Sequence, residues 1–290
     1  MTDLVDNLRL HPWNLDFEWE AHRAPFQVLT HDQAEQFDRD GYVVLEDVFD
    51  PEEVGAVLTV TDRAEARTEA FLRTREDGRM SVAESGAITF TVHLVVGSVR
   101  AREFASHPTF AGLAVDLLGP DVNLYWDQAV YKKPEKPRRF PWHQDNGYTF
   151  VEPQQYLTCW VALTDATRDN GCPQVVPGLH RLGTLDHEYV DPLGFECFSD
   201  PPGAVAAPVK AGGIVVFSSL TPHLTGPNTT EQVRKAYILQ YAPAGAHALS
   251  GAHEGPPTAR TPCDHPHRQF PVVRDGRRVP PPPVAGPASP

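Results

Sequence analysis

The sequence predicts a mainly β fold with flanking helices. The sequence signals for helices lie before residue 120, and short strand-like runs follow after it. Each run is apolar or β-branched and is bounded by Gly, Pro or Asn, a pattern typical of a β-sandwich or a closed barrel. The predicted strands cover residues 122–131, 139–143, 156–163, 173–176, 205–209, 213–218 and 234–241.

The first helix is predicted from a capping box. Thr30 is followed three residues later by Gln33, and apolar residues then continue at helical spacing. Gly41 is expected to end this helix, since glycine is favoured just past a helix C-terminus. The β-branched and aromatic run 42–45 predicts a strand directly after it.

Two more helices follow from similar signals. Asp50 and Pro51 supply an N-cap and a first helical position, and the apolar spacing continues to about Phe71. A third helix is predicted from about residue 108 to 118, because its apolar residues form one stripe and Gly119 with the next proline stops it.

The composition excludes several classes of function. The chain has 290 residues, of which 41% are hydrophobic and 22% charged, as in a globular domain. A net charge of -13 disfavours nucleic acid and anionic membranes as partners and favours neutral or cationic substrates. No apolar run is long enough to cross a membrane, and the N-terminus lacks the apolar segment of a signal peptide. Four scattered cysteines without a C-x-x-C pair indicate reduced thiols. We therefore expect a cytoplasmic monomer or homodimer.

Three segments are expected along the chain. Residues 1–29, rich in Pro, Trp and charge, are predicted to be an arm packed on the domain, and residues 30–245 the domain itself. Residues 246–290 are predicted to form a Pro-rich C-terminal extension, which contains four consecutive prolines at 280–283. Its last ten residues are predicted to be mobile.

A possible metal site lies at His143-Gln144-Asp145, the only H-x-D among 13 histidines. On a strand, residues i and i+2 point to the same face, so the imidazole and the carboxylate lie side by side. A second histidine would complete a 2-His-1-carboxylate triad, which leaves positions on Fe(II) open for a co-substrate and O₂. Alone, however, an H-x-D is more often coincidental than metal-binding.

His223 is the best candidate for the third ligand, because it follows the apolar strand 213–218 where a turn opens. Arg234 begins the next strand eleven residues later, on the same face as Ala236 and Ile238. A cation on such an inward face needs a partner, which a bound dicarboxylate would supply through a two-pronged salt bridge. Thr225 could add a hydroxyl to the same carboxylate.

Several motifs together resemble the phytanoyl-CoA dioxygenase family. The resemblance covers about residues 30 to 245, in order and at the expected spacing. Its carriers are Asp40-Gly41-Tyr42-Val43-Val44-Leu45, Phe140-Pro141-Trp142-His143-Gln144-Asp145-Asn146-Gly147-Tyr148, Trp160-Val161-Ala162-Leu163-Thr164-Asp165-Ala166, Asn170-Gly171-Cys172, Val176-Pro177-Gly178-Leu179-His180 and His223…Arg234…Gln240-Tyr241.

The resemblance implies a double-stranded β-helix, that is, a cupin-like jelly-roll barrel with helices packed outside. By position it implies that His143, Asp145 and His223 bind iron and that Arg234 holds 2-oxoglutarate. Thr225 takes the place of the small hydroxyl residue after the distal histidine. Trp160 resembles an aromatic residue that lines the co-substrate pocket, and Gln128 resembles a polar contact to 2-oxoglutarate.

The implied activity is a non-haem Fe(II)- and 2-oxoglutarate-dependent dioxygenase that uses O₂ to hydroxylate a small metabolite, releasing succinate and CO₂. Desaturation, epoxidation and ring closure use the same cofactors and remain open. Halogenation is disfavoured, because related halogenases lack the carboxylate that Asp145 supplies. The chain could also be a catalytically silent jelly-roll binding protein, but such a protein would be expected to have lost one of the four site residues His143, Asp145, His223 and Arg234, all of which are present. A zinc hydrolase would not need Arg234.

Overall fold

Most of the helices lie in the first part of the chain. The computed structural model describes residues 8–284. Its helices are α1 (His31–Asp40), α2 (Pro51–Arg73), α3 (Leu94–Gly97), α4 (Val99–Ala105), α5 (Pro108–Leu118) and α6 (Asp145–Tyr148), with a 3₁₀ turn at Leu179–Leu182.

The capping signals correctly predicted where the first helices begin. The Thr30 hydroxyl accepts from the Gln33 amide, and the Gln33 side chain accepts from the Thr30 amide. Gly41 ends α1 at a φ of 83°, and a Cβ there would lie 2.5 Å from atoms of His180 and Thr221. Glycine is therefore required at this position by both the backbone conformation and the close packing.

The strands confirm most of the predicted runs, although 205–209 forms a strand only at Val205–Ala206 and an isolated bridge from Val209 to Ala166. Residues 88–105, which carry one strand and two short helices, had no strong start or stop signal in the sequence. The strands are β1 (Tyr42–Leu45), β2 (Arg79–Met80), β3 (Ala83–Glu84), β4 (Ile88–Val92), β5 (Val122–Lys132), β6 (Phe140–His143), β7 (Val151–Glu152), β8 (Leu157–Ala162), β9 (Pro173–Val175), β10 (Glu188–Val190), β11 (Gly194–Glu196), β12 (Val205–Ala206), β13 (Ile214–Ser218), β14 (His223–Thr225), β15 (Arg234–Pro243), β16 (His247–Ser250), β17 (Ala259–Pro262), β18 (Pro271–Arg274) and β19 (Arg277–Arg278).

Two antiparallel sheets position the site. The larger has the order β1-β13-β8-β15-β5-β4-β3-β2, and the smaller has the order β12-β9-β14-β6. Neighbouring strands are distant in sequence, since β8 lies between β13 and β15, and β14 lies between β9 and β6. This order of pairing brings residues from the middle and the end of the domain together.

The larger sheet has two different faces, and β15 shows both. Ala236 and Ile238 belong to the inner apolar cluster, whereas Tyr237 and Leu239 belong to the outer one, which includes residues of α1, α2, α4 and α5. On the outer face the Tyr241 ring stacks on Phe110 of α5, with centroids 5.8 Å apart. Burial of each such side chain contributes roughly 1.5–3 kcal/mol. The outer face thus fixes the strand whose inner face carries Arg234.

The terminal segments contact the barrel at several points. The Trp13 indole donates to the Gly255 carbonyl at 2.6 Å. Asp275 and Gly276, with φ values of 50° and 70°, turn β18 into β19, as the Asp-Gly pair favours. The division into residues 1–29, 30–245 and 246–290 remains a proposal. The predicted mobility of the last ten residues falls mostly on residues 285–290, which lie outside the described part. Between residues 8 and 284, no helix is long and apolar enough to cross a membrane.

Candidate metal centre and co-substrate pocket

The smaller sheet brings two of the predicted ligands together. His143 ends β6 and His223 begins β14, and the two are directly paired in the antiparallel register. Their ring centroids lie 4.1 Å apart. Asp145 does not continue the strand as its spacing predicted, because β6 stops at His143 and Asp145 opens α6. Its carboxylate still faces both rings.

Three potential donor atoms converge at this point. Asp145 Oδ1 lies 3.9 Å from His143 Nε2 and 3.9 Å from His223 Nε2. One ligand atom from each residue lies within 4.8 Å of the other two, and among residues 8–284 this is the one such group of three metal-binding side chains. Two imidazoles and one carboxylate are the donor set of non-haem Fe(II) oxygenases. The residues therefore fit an iron ion.

Both imidazoles are oriented by backbone carbonyls. His143 Nδ1 lies 2.8 Å from the Pro141 carbonyl, and His223 Nδ1 lies 3.0 Å from the Thr221 carbonyl. Each Nδ1–H donates to its carbonyl, which leaves the Nε2 lone pair facing the centre. Burial, together with the neighbouring His223, lowers the pKa of His143 well below its usual value. The ring is thus held in the neutral form that a metal needs.

Asp145 is oriented by a side chain that the sequence did not single out. The Thr158 hydroxyl donates to Asp145 Oδ2 at 2.5 Å, and Gln240 Nε2 donates to the same hydroxyl at 3.3 Å. The carboxylate therefore directs Oδ1, and not Oδ2, toward the histidines. Thr158 lies on β8 two residues before Trp160, so their shared strand face was the available signal.

Arg234 is buried without a counter-ion among the described residues. Only 1% of the residue is exposed, and its one hydrogen bond runs from Nη1 to the Val130 carbonyl at a long 3.5 Å. Nε and Nη2 have no partner, and the guanidinium lies over the Trp160 ring, 5.0 Å from its centroid. Burial lowers the pKa of Arg234 to about 9. A charged group in this state requires an anion, and the two free donor atoms suit a carboxylate.

Neither nearby lysine can replace Arg234 in this role. Lys132 Nζ donates to the carbonyls of Arg138, Thr225 and Gly226. Lys235 Nζ pairs with Asp62 at 2.7 Å. Both ammonium groups already have protein partners, so Arg234 is the cation left for a bound dicarboxylate. The Thr225 residue itself is buried, 9% exposed, on β14 next to the metal centre.

A comparison with models of known protein families shows to which family this chain belongs. The model of the family described as phytanoyl-CoA dioxygenase (PhyH) matches residues 37–236, which is more than half of the chain. This chain belongs to the phytanoyl-CoA dioxygenase family. The predicted family and the predicted dioxygenase activity are confirmed, and Fe(II), 2-oxoglutarate and O₂ are the cofactors that this class uses.

Relatives of this family member include the protein named ectoine dioxygenase from Bordetella bronchiseptica, which is 29% identical over 238 residues that cover 73% of this chain and 75% of the relative. The crystal structure of EctD from S. alaskensis with 2-oxoglutarate and 5-hydroxyectoine is 25% identical, with a TM-score of 0.62 over 88% of this chain and 92% of that one. The epimerase SnoN in complex with Fe3+, alpha ketoglutarate and nogalamycin RO is also 25% identical, with a TM-score of 0.62 over 80% and 94%. These similarities confirm the jelly-roll fold.

A cavity of about 320 Å³ opens in front of the metal centre of this oxygenase. His143, Asp145 and Gln128 line it. Trp160 and Arg234 are not part of its lining, although Trp160 belongs to the inner apolar cluster that also contains the lining residue Phe140. The predicted co-substrate residues are thus divided between the cavity wall and the barrel interior.

Four aromatic residues in this part of the chain differ in what they contact. Trp126 and Tyr148 line the cavity. Tyr131 is a core residue whose hydroxyl lies 2.9 Å from Thr61 Oγ1. Phe150 packs on His11, with ring centroids 4.8 Å apart.

Proposed function

We propose that this protein is an Fe(II)- and 2-oxoglutarate-dependent dioxygenase that hydroxylates a small molecule, with His143, Asp145 and His223 as the iron ligands. These two imidazoles and one carboxylate would hold the ion, and a donor set of this kind would leave coordination positions for a co-substrate and O₂. Thr158 and the two backbone carbonyls keep the donor atoms aimed at one point. When bound, the iron supplies activation of O₂ coupled to oxidative decarboxylation of 2-oxoglutarate to succinate and CO₂.

The observation that carries the proposal is the buried, unpaired guanidinium of Arg234. We infer that it binds the C5 carboxylate of 2-oxoglutarate through Nε and Nη2, the two atoms without a protein partner. Trp160 holds the guanidinium by a cation–π contact, and Thr225 adds a hydroxyl from β14. Gln128, whose side chain lines the cavity, contacts the co-substrate from β5.

The remaining protein groups orient the reactants and exclude water. The inner cluster around Ile238, Phe217 and Val215 closes the barrel behind the co-substrate. A water-poor site of this kind strengthens the charge pairing of Arg234 and limits side reactions. The names of the relatives support a small-molecule substrate, since 5-hydroxyectoine and nogalamycin RO are the small molecules bound in the two solved structures.

We further propose that the protein acts in the cytoplasm as a monomer or homodimer, without nucleic acid or a membrane as partner. The four cysteines, of which Cys159, Cys172 and Cys263 are buried, are all free thiols, as in a reducing compartment. The net charge of -13 supports the absence of nucleic-acid binding.

The test is the visible charge-transfer band of an anaerobic Fe(II)–2-oxoglutarate complex. We expect the wild type to form the band and to bind one Fe(II). Asp145→Ala should lose turnover even where 2-oxoglutarate still binds, because iron is left with two protein ligands. Asp32→Ala, which removes an exposed carboxylate from the first turn of α1, is the matched control. A folded wild type without a band, or product formation at the normal rate by Asp145→Ala, would contradict the proposal.

A further inference from the structure

The cavity in front of the metal centre is small and mainly aromatic. Its volume of about 320 Å³ lies at the lower end of the roughly 300–1,000 Å³ typical of small-molecule pockets. Apolar side chains such as Val82 and Val92 complete the wall. The aromatic rings that line it are those of Phe90, Tyr125, Trp126, Phe140, Tyr148 and Tyr156.

The lining provides no free charge for a substrate. Asp145 and His143 are its acidic and basic residues, and both are committed to the metal under the proposed function. The polar remainder consists of Gln128, Gln240 and Thr149 together with tyrosine hydroxyls, which are neutral near pH 7. An ionised group placed here would lose its hydration without gaining a counter-ion.

Arg268, which has no carboxylate partner among residues 8–284, lies behind two rings at the wall of the cavity. Arg268 Nη1 lies 3.1 Å from His93 Nε2, and the His93 ring packs edge-on against Trp126 with centroids 4.3 Å apart. Trp126 lines the cavity, but neither His93 nor Arg268 does. Arg138, on the other side, is already paired with Glu84 at 3.0 Å. These charges lie behind the wall and do not face a bound molecule.

We infer that the part of the substrate that enters this cavity is a neutral, compact, ring-sized group, aromatic or alicyclic, with hydrogen-bonding capacity matched to the amide of Gln240 and to the tyrosine hydroxyls of the wall. The inference rests on the proposed function and narrows its substrate class. A substrate that would place a carboxylate, a phosphate or an ammonium group in this cavity is therefore excluded. The net negative charge of the whole chain permits cationic substrates, but the lining of this cavity does not favour them.

Three probes that share the naphthalene ring system and differ in charge test the inference. They are 2-naphthol, 2-naphthoate and 2-naphthylmethylammonium, each added to the anaerobic Fe(II)–2-oxoglutarate protein. Binding beside the iron is read as a perturbation of the charge-transfer band. We expect 2-naphthol to bind on the order of tenfold or more tightly than either charged probe, a difference of about 1.4 kcal/mol. Equal or tighter binding of a charged probe, or a band unchanged by all three, would overturn the inference.

A charge placed at the mouth should change the preference. Val92 lines the cavity and is 44% exposed, whereas Val96 is 39% exposed and is not part of the lining. Val92→Lys should increase the affinity for 2-naphthoate by roughly tenfold, and the matched Val96→Lys should leave it unchanged. Equal affinity of the two variants for 2-naphthoate would overturn the assignment of this cavity as the binding site.

The proposed function and the neutral character of the cavity can be refuted separately. If no band forms with Fe(II) and 2-oxoglutarate, the proposed function fails, and the cavity is then tested by calorimetry on the metal-free protein. There the uncompensated Asp145 favours the ammonium probe, so the informative pair is 2-naphthol and 2-naphthoate. If 2-naphthol binds more tightly than 2-naphthoate, and neither charged probe displaces it at equal concentration, the inference of a neutral binding cavity is supported. Tighter binding of 2-naphthoate overturns it.

Discussion

Replacing Arg234 by methionine should stabilise the free protein while it removes 2-oxoglutarate binding. These opposite effects follow from the position of Arg234, which is 1% exposed and has one long hydrogen bond. A residue whose role is structural would show the reverse, since its removal would weaken the fold. Methionine keeps most of the side-chain length and carries no charge to bury.

The expected magnitudes come from the buried charge. Burial lowers the pKa of Arg234 from its ordinary value to about 9, which corresponds to about 5 kcal/mol against the charged form in the folded state. The group stays protonated at pH 7, so the fold carries this cost until an anion binds. Apolar replacements of buried ionic groups have been neutral or stabilising by about 1–4 kcal/mol. At roughly 2–4 °C per kcal/mol, Arg234→Met should melt at or several degrees above the wild type.

The loss of binding should be larger. Truncating one member of a buried, hydrogen-bonded charge pair costs on the order of 2–5 kcal/mol, which is a factor of about thirty to several thousand in affinity. Arg234→Lys should recover only part of this loss, because an ammonium cannot make a two-pronged contact. Iron affinity should change little, since Arg234 is not a ligand.

The assay is a thermal melt with and without 2-oxoglutarate, in the presence of Mn(II) as a stand-in that accepts the same ligands. Arg102→Met is the matched control, because Arg102 is also 1% exposed but donates to four carbonyls, those of Val95, His267, Pro282 and Pro283. That variant should melt well below the wild type and retain its response to 2-oxoglutarate. An Arg234→Met protein that is strongly destabilised, yet still gains stability from 2-oxoglutarate, would refute the reasoning.

Two further predictions concern the groups that hold the iron ligands. Thr158→Val removes the hydroxyl that donates to Asp145 Oδ2 and should weaken Fe(II) binding by roughly tenfold, whereas Thr158→Ser should restore the affinity. Equilibrium dialysis measures the Fe(II) affinity of the wild type and both variants. Equal affinity in all three proteins would mean that Asp145 is oriented without this hydroxyl. Gly147→Ala places a Cβ against the ring of His187, and His187 accepts a hydrogen bond from the backbone amide of Gln144, which lies between His143 and Asp145. This variant should lower the free energy of unfolding by about 1–3 kcal/mol and should also weaken iron binding. Denaturant unfolding identical to that of the wild type would contradict this second prediction.

The residues of the centre could be predicted from the sequence because their chemistry is tied to their position. An H-x-D motif, a later histidine at the end of an apolar strand and an arginine at the start of the next are recognisable as types. Their proximity could not be derived from spacing alone. It depends on the register between β6 and β14, which places His143 opposite His223 across 80 residues of chain. Family resemblance supplied that information where local physical rules did not.

The supporting groups and the cavity wall could not be predicted, for two physical reasons. Thr158 and Gln240 meet only because β8 and β15 are neighbours in register. The strand face that Thr158 shares with Trp160 was the available signal, and it does not indicate which groups Thr158 contacts. Tyr125 reaches the cavity where the pairing of β5 with β15 shifts by one residue, between Gln240 and Tyr241. Such an irregularity changes which side chains face inward, and strict alternation cannot anticipate it.

The same strand explains why a buried, unpaired cation is tolerated at all. On its outer face β15 buries Tyr237, Leu239 and Tyr241 against the helices, and each contributes to a core that holds the strand in place. That burial, at roughly 1.5–3 kcal/mol for each large side chain, is comparable to or larger than the cost of desolvating the guanidinium of Arg234 on the inner face. Under the proposed function, binding of the 2-oxoglutarate carboxylate would relieve this cost, and part of the energy stored in the free protein would be recovered as affinity for the co-substrate. The unsatisfied charge would then be a functional feature maintained by packing on the opposite side of a single strand.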